Sequence, residues 1–296
     1  MSNNYLGLTY GIIAAIIWGI FPVLTQFSLD QSLSSQDIIA LRFIVSGPLL
    51  CYVLWQHRNT TLSFTCICFL VCGAGAPYLL LVVGGLTFAP ASHFGAITPS
   101  SMLIFSAIGS WIWLNETFSV KRVLGISIIV IGIFSVCWDG MNFNGKNVWI
   151  GDLMFLLGGL LWATYTLSTR RWSVDPLHAI ALVSVFSMIL YMPPYFFYFE
   201  TTFLSAPFTE VVFQGIFQGI LSVLIALLLY TKSIKLLGAS RAALFAALVP
   251  GIALILSIPV LNESPSFPQI IGILTITIGM VYAIEMKTIK YASNET

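Results

Sequence analysis

Charge is what this sequence has least of. Asp, Glu, Lys and Arg make up 8% of its 296 residues, against roughly 25% in an ordinary soluble domain. With 58% hydrophobic residues and a mean hydropathy of +0.96, too little polar surface remains to cover a water-soluble globule. Twelve basic against eleven acidic residues leave a net charge of +1, too small to neutralise a phosphate backbone, so nucleic acid is excluded as a partner. Histidine is scarce at three, and cysteine numbers an odd five. Cys66, Cys68 and Cys72 share one apolar stretch without the paired spacing of a zinc site, and read as small packable side chains. No metal and no cofactor is expected. No Gly-Lys-Ser/Thr phosphate loop is present, so ATP is not expected to drive the protein.

What the chain does have is apolar length. Apolar runs fall at about residues 5–28, 36–56, 63–86, 90–114, 119–138, 149–169, 177–199, 209–231, 240–261 and 266–286, each long enough to cross a bilayer as a helix. Ten such spans leave no room for an extramembrane domain. The first lacks a basic leader and holds Trp18 and Pro22 in its middle, so it is expected to remain as a span. Pro22, Pro48, Pro77, Pro99, Pro193, Pro194 and Pro250 lie inside spans, where membrane helices tolerate the lost hydrogen bond by bending. With the N-terminus inside, Arg58, Lys121, Arg122, Arg170, Arg171, Lys232, Lys235, Arg241, Lys287 and Lys290 all fall on the inner side and only Lys146 on the outer. That asymmetry fixes a multi-pass orientation in the cytoplasmic (inner) membrane with both termini cytoplasmic.

The chain also repeats itself. Leu114-Asn115-Glu116, Gly125 and Gly132 recur as Leu261-Asn262-Glu263, Gly272 and Gly279 at a constant offset of 147. Gly7 and Trp18 match Gly151 and Trp162 at 144, and Ala91-Ser92-His93 matches Ala239-Ser240-Arg241 at 148. Five spans per half force the second half to cross in the opposite sense. The expected fold is therefore an all-α integral membrane protein of ten transmembrane helices in two inverted five-helix repeats, residues 1–143 and 144–296. Inverted repeats are the structural basis of alternating access, which points to a carrier.

Ten spans in two halves, an aromatic residue midway along spans one and six, Leu41-Arg42-Phe43 in span two, and a Glu after spans four and nine with glycines nine and sixteen residues later resemble the drug/metabolite transporter superfamily, in particular its EamA-type branch. The resemblance covers nearly the whole chain. Two departures stand out. The family usually carries Gly before that Glu, where this chain has Asn115 and Asn262. It usually has Pro thirteen residues before the Glu, a spacing kept by Pro250 but missed by one helical turn at Pro99. The resemblance implies an exporter or exchanger of small organic solutes, such as amino acids and related metabolites. It also implies a central cavity bounded by spans 1, 3, 4, 6, 8 and 9, with spans 5 and 10 at the periphery.

Several residues are candidates for that cavity. Trp18, Pro22 and Thr25 share one face of span one, and Trp162, Tyr165 and Thr169 do the same on span six, mixing aromatic and polar groups as a solute pocket does. Tyr78, beside Pro77, is a weaker candidate. Gln214, Gln218 and Ser222 form a polar stripe on span eight, read equally as interhelical hydrogen bonding or as substrate contact. His93 and Arg241 occupy matching first turns and could draw an anion to either gate, against plainer readings as a capped polar residue and a positive-inside anchor. Arg42, the one basic residue inside a span, is expected to snorkel, with Asp37 as a near same-face partner. Pro22, Pro99, Pro250, Arg42, Glu116 and Glu263 are read as structural or gating positions.

No Asp or Glu occupies the middle third of a span, so tight proton coupling is not supported and facilitated diffusion or exchange is the simpler mode. The leading expectation is a secondary transporter of a small amphipathic or zwitterionic metabolite, working outward. It needs only a small-molecule substrate and the lipid bilayer, as a monomer or weak homodimer. An anion exchanger of sugar-phosphate or nucleotide-sugar type would want several cavity cations and finds only Arg42, Arg241 and the Lys232/Lys235 pair. A membrane-embedded enzyme would need acid, base, nucleophile or metal groups that the chain does not supply, so no enzymatic activity is expected.

Overall fold

The structure, a computed structural model, describes residues 3–57, 60, 62–140, 147–202 and 205–284. Arg58, Lys146, Lys287, Lys290 and the boundary drawn between residues 143 and 144 lie outside the described residues. Among those described there is no strand, and nine helical stretches are long and apolar enough to cross a membrane. The tenth span is 17 residues long and equally apolar. In chain order the helices are α1 (Asn3–Gln31), α2 (Ser35–Gln56), α3 (Phe64–Ala74), α4 (Ala76–Gly85), α5 (Ala91–Leu114), α6 (Val120–Gly140), α7 (Val148–Arg171) and α8 (Pro176–Tyr198). They continue with α9 (Phe208–Ile216), α10 (Ala226–Leu237), α11 (Ala239–Ala243), α12 (Val249–Leu261) and α13 (Phe267–Ala283).

Polar residues at the edges of the apolar runs mark where these helices begin. Ser34, Ser63, Asp175 and Ser266 accept hydrogen bonds from first-turn N–H groups, with reciprocal capping boxes at Ser34/Asp37 and Ser266/Gln269. The third span breaks at Gly75 into α3 and α4, and the freed N–H of Ala76 donates to the Ser187 hydroxyl on α8. Its counterpart, the eighth span, runs as α9, a π-helical stretch Phe217–Ile225 and α10. Both halves are thus irregular at the same place, and such irregularity is tolerated at membrane depth where it lines a cavity. The two prolines that differ in spacing also differ in effect. Helix α5 runs unbroken through Pro99, whereas the ninth span is a short α11 and a 3-10 turn, Leu244–Leu248, before Pro250 opens α12.

The repeat has a geometric basis. Asn115 and Asn262 end α5 and α12 in the left-handed conformation, at φ of 51° and 53°. After Gly, Asn is among the side chains that visit this region most readily, so Asn here does the work of the family's Gly. In both halves the following Glu donates its N–H to the serine carbonyl six residues back, Ser110 and Ser257. The repeated glycines bring α6 and α13 together as an antiparallel pair. A Cβ on Gly279 would stand 2.8 Å from Ile129 N and 2.9 Å from the Gly125 carbonyl, and one on Gly132 would stand 2.8 Å from the Gly272 carbonyl. Gly125–Gly279 and Gly272–Gly132 are the same contact seen from each half, which is what a two-fold relation between inverted repeats requires.

Glu263 meets the start of α5 at Ala91, while Glu116 follows its last residue. The two repeated carboxylates therefore sit at opposite ends of a 24-residue helix, about 36 Å apart along its axis. These are called below the Ala91 end and the Arg170 end.

Candidate solute cavity

Between the halves lies a cavity of about 360 Å³, within the range of small-molecule sites. Two aromatic pairs, each made of one residue from either half, form its walls. Trp18 of α1 meets Tyr230 of α10 edge-on with ring centroids 5.2 Å apart, and Trp162 of α7 meets Tyr78 of α4 edge-on at 4.9 Å. Tyr165, Thr166 and Thr169 line the cavity from α7, Thr98 and Pro99 from α5, and Ala246 and Val249 from the ninth span. The spans so represented are the six expected plus the second, through Arg42, and the seventh, through Pro176 at its start; α6 and α13 contribute no lining residue among those described.

The cavity is asymmetric along the membrane axis. Its lining reaches Thr169 in the last turn of α7, Ile234 in the last turn of α10 and the exposed Pro176 at the start of α8, so it runs out at the Arg170 end. Toward the Ala91 end it stops at Phe21 and Phe94, whose rings lie 5.6 Å apart, with Phe155 5.4 Å beyond Phe94. Above that aromatic plug, polar contacts tie the halves together. Ala91 N–H donates to Glu263 Oε1 at 2.8 Å, Gln269 donates to Ser92, Ser32 donates to Glu210, and Thr202 donates to Asp37.

At the Arg170 end Glu116 does not repeat the helix-capping contact of Glu263. Arg170 donates to it, and Arg122 lies 3.7 Å away. Partial burial pushes the Glu116 carboxyl up. Hydrogen bonds from Arg170 and Ser110 and the charges of Arg170 and Arg122 outweigh that and hold it below the usual carboxylate range.

Arg42 departs from its expected setting. It does not snorkel: it is 7% exposed, and it lines the cavity. Asp37 is not its partner, because that carboxylate is held by Ser34, Tyr195 and Thr202 as part of the α2 cap. Instead Arg42 Nη1 donates to Ser222 Oγ at 3.1 Å and to Gln218 Oε1 at 3.4 Å, and the guanidinium lies over the Phe21 ring.

The remaining candidates divide. Thr25, Gln214 and Gln218 are buried behind the cavity wall as a ladder between the first and eighth spans: Gln214 donates to the Leu24 carbonyl and Ser28, and Gln218 to Thr25. The interhelical reading of the polar stripe describes these contacts, while Ser222 at the stripe's end faces the cavity. His93 is fully buried away from the cavity lining, and its Nδ1–H donates to Asp152 Oδ1 across 2.7 Å. Arg241 is exposed and also outside the lining. Lys232 lies over the Tyr10 ring. Pro22 and Pro250 shape helices without lining the space.

Sequence reasoning passed over Asp152, Tyr230 and Phe21. Asp152 carried a signal, being an acid one residue after the repeated Gly151. Tyr230 lies in the stretch matching Tyr78, and Phe21 lies one turn beyond Trp18. No group of three or more potential metal-ligating side chains occurs among the described residues.

Comparison with known proteins agrees with this architecture. A solved crystal structure 17% identical in sequence superposes with a TM-score of 0.65 over 95% of this chain and 97% of that one. An uncharacterised transporter of Bacillus subtilis, YyaM, is 29% identical over 64% of this chain, a match spanning 63% of that relative, under two thirds of its length. An uncharacterised transporter of Archaeoglobus fulgidus is 23% identical over 90% of this chain and 93% of its own. Residues 5–138 and 149–284 each match the EamA-like transporter family, one match per half. With both repeats matched and a cavity shared between them, the chain belongs to the EamA-like transporter family.

Proposed function

We propose that the protein is a secondary carrier that moves a small organic solute, an amino acid or related metabolite, outward across the cytoplasmic membrane by alternating access. The observation that carries this reading is a cavity built from both halves, reaching one end of the bundle and closed at the other. Exchanging the conformations of the halves moves the opening from the Arg170 end to the Ala91 end. With the N-terminus inside, the described conformation is the inward-facing one.

The repeated carboxylates fit the same exchange. Glu263 caps α5 at the closed end, whereas Glu116 is engaged by Arg170 and Arg122 at the open end, where Gly238, the N-cap of α11, supplies no capping side chain. In the outward-facing state Glu116 takes the N-terminus of α11 and Glu263 is released.

The test is transport into proteoliposomes containing the purified full chain, without ATP. Uptake of an amino acid or related metabolite that falls at least tenfold in Trp18→Ala and in Trp162→Ala supports the reading. Full activity in both variants removes these residues from the solute path.

A further inference from the structure

Among the described residues, Arg42 is the one charged side chain that lines the cavity. It lies inside a membrane-spanning bundle, it is almost fully buried, and no Asp or Glu among the described residues stands within ion-pairing distance of it. The nearest acid along its own helix, Asp37, is taken up by Ser34, Tyr195 and Thr202. Its contacts are neutral, two hydrogen bonds from Nη1 and the face of Phe21. Nε and Nη2 donate to nothing among the described residues, so two N–H groups of the planar fork are free for a carboxylate. A desolvated guanidinium without a counter-ion is unfavourable in this environment and marks a place where an anion arrives.

Resting on the carrier reading above, we propose that Arg42 is the anion anchor of the transported solute, which is an amphipathic molecule with a single carboxylate and a flat apolar body. The carboxylate sits on the Arg42 fork, and the apolar body lies between the Trp18/Tyr230 and Trp162/Tyr78 pairs. A phosphate monoester carries about 1.5 to 2 negative charges at neutral pH, and one guanidinium leaves the excess unmatched in a site with no second cation among the described residues. A cation would face Arg42 directly, and a neutral amide would leave it without a counter-charge.

The test is calorimetric binding to the full chain in lipid nanodiscs of four matched probes: 3-phenylpropanoate, 3-phenylpropanamide, 3-phenylpropylamine and phenyl phosphate. The carboxylate binds at least about tenfold tighter than the other three, the scale expected for charge-assisted hydrogen bonds. That preference disappears in Arg42→Gln and survives in part in Arg42→Lys, which keeps the charge if the first variant folds poorly. Equal binding of the amide or the amine, tighter binding of the phosphate, or carboxylate binding unchanged in both variants overturns the proposal. If those probes still bind in a Trp18-dependent way, the carrier reading stands without it. Absence of binding by all four probes also overturns the proposal, and the carrier reading then stands or falls on the transport assay above.

Discussion

Replacing Glu263 with Ala removes the acceptor for the Ala91 N–H and a negative charge from the N-terminus of α5. A hydrogen bond to a charged acceptor contributes about 1.5–3 kcal/mol, and a charge at a helix end about 0.3–1 kcal/mol. If this contact exists only while the Ala91 end is closed, about 2 kcal/mol is lost from that state alone. The ratio of closed to open then falls roughly 25-fold, since 1.4 kcal/mol is tenfold in an equilibrium constant. Spin labels on Gln31→Cys and Thr87→Cys, exposed positions at the last residue of α1 and just beyond α4 at that end, read the change by double electron–electron resonance in a cysteine-free background. The expected result is growth of a longer-distance population in Glu263→Ala, and a smaller growth in Glu263→Gln, which keeps an acceptor but not the charge. An unchanged distance distribution in a variant that has nonetheless lost thermal stability would refute the argument, because the cap would then belong to both states.

Other perturbations separate the parts of this account. The lowered Glu116 carboxyl gives its ion pairs a stabilising contribution that is complete above the ordinary Glu value and fades as pH falls through the lower folded one. The melting-temperature gap between wild type and Glu116→Gln, worth about 0.2–1 kcal/mol for a partly exposed pair, therefore stays flat from neutral pH to about 5 and closes below about 4. Gly279→Val drives a branched side chain into backbone atoms of α6 and costs about 1–3 kcal/mol in denaturant titration. Gly251→Ala, where nothing lies within 4 Å, is neutral or slightly stabilising. His93→Leu leaves Asp152 buried without its donor and costs about 3 kcal/mol or more; if His93→Leu/Asp152→Leu is no more stable than the single variant, the pair is not the reason.

Much of the fold was legible because it follows from length, hydropathy and spacing. The ten spans, the inverted repeat and the pairing of Trp18 with Trp162 as equivalent positions are one-dimensional patterns, and the structure places both indoles on one cavity. The facing of polar groups was not legible in the same way. A stripe at Gln214 and Gln218 shows that one face is polar, but not whether the first span or the cavity meets it; Leu24, Thr25 and Ser28 decide that. Asp37 was matched to Arg42 by spacing along one helix, while it is held by Ser34 beside it and by Tyr195 and Thr202, both more than 150 positions away. His93 and Asp152 are 59 residues apart on different helices, and only the crossing of α5 with α7 joins them.

The central claim is that one cavity faces the two sides of the membrane in turn. Thr166 lines it between Trp162 and Thr169. Thr166→Cys, in a background with the five native cysteines replaced, can be labelled in sealed vesicles by a membrane-impermeant maleimide added to either face. The account predicts labelling from both faces with no steady leak of small ions between them, and labelling from one face only would contradict it.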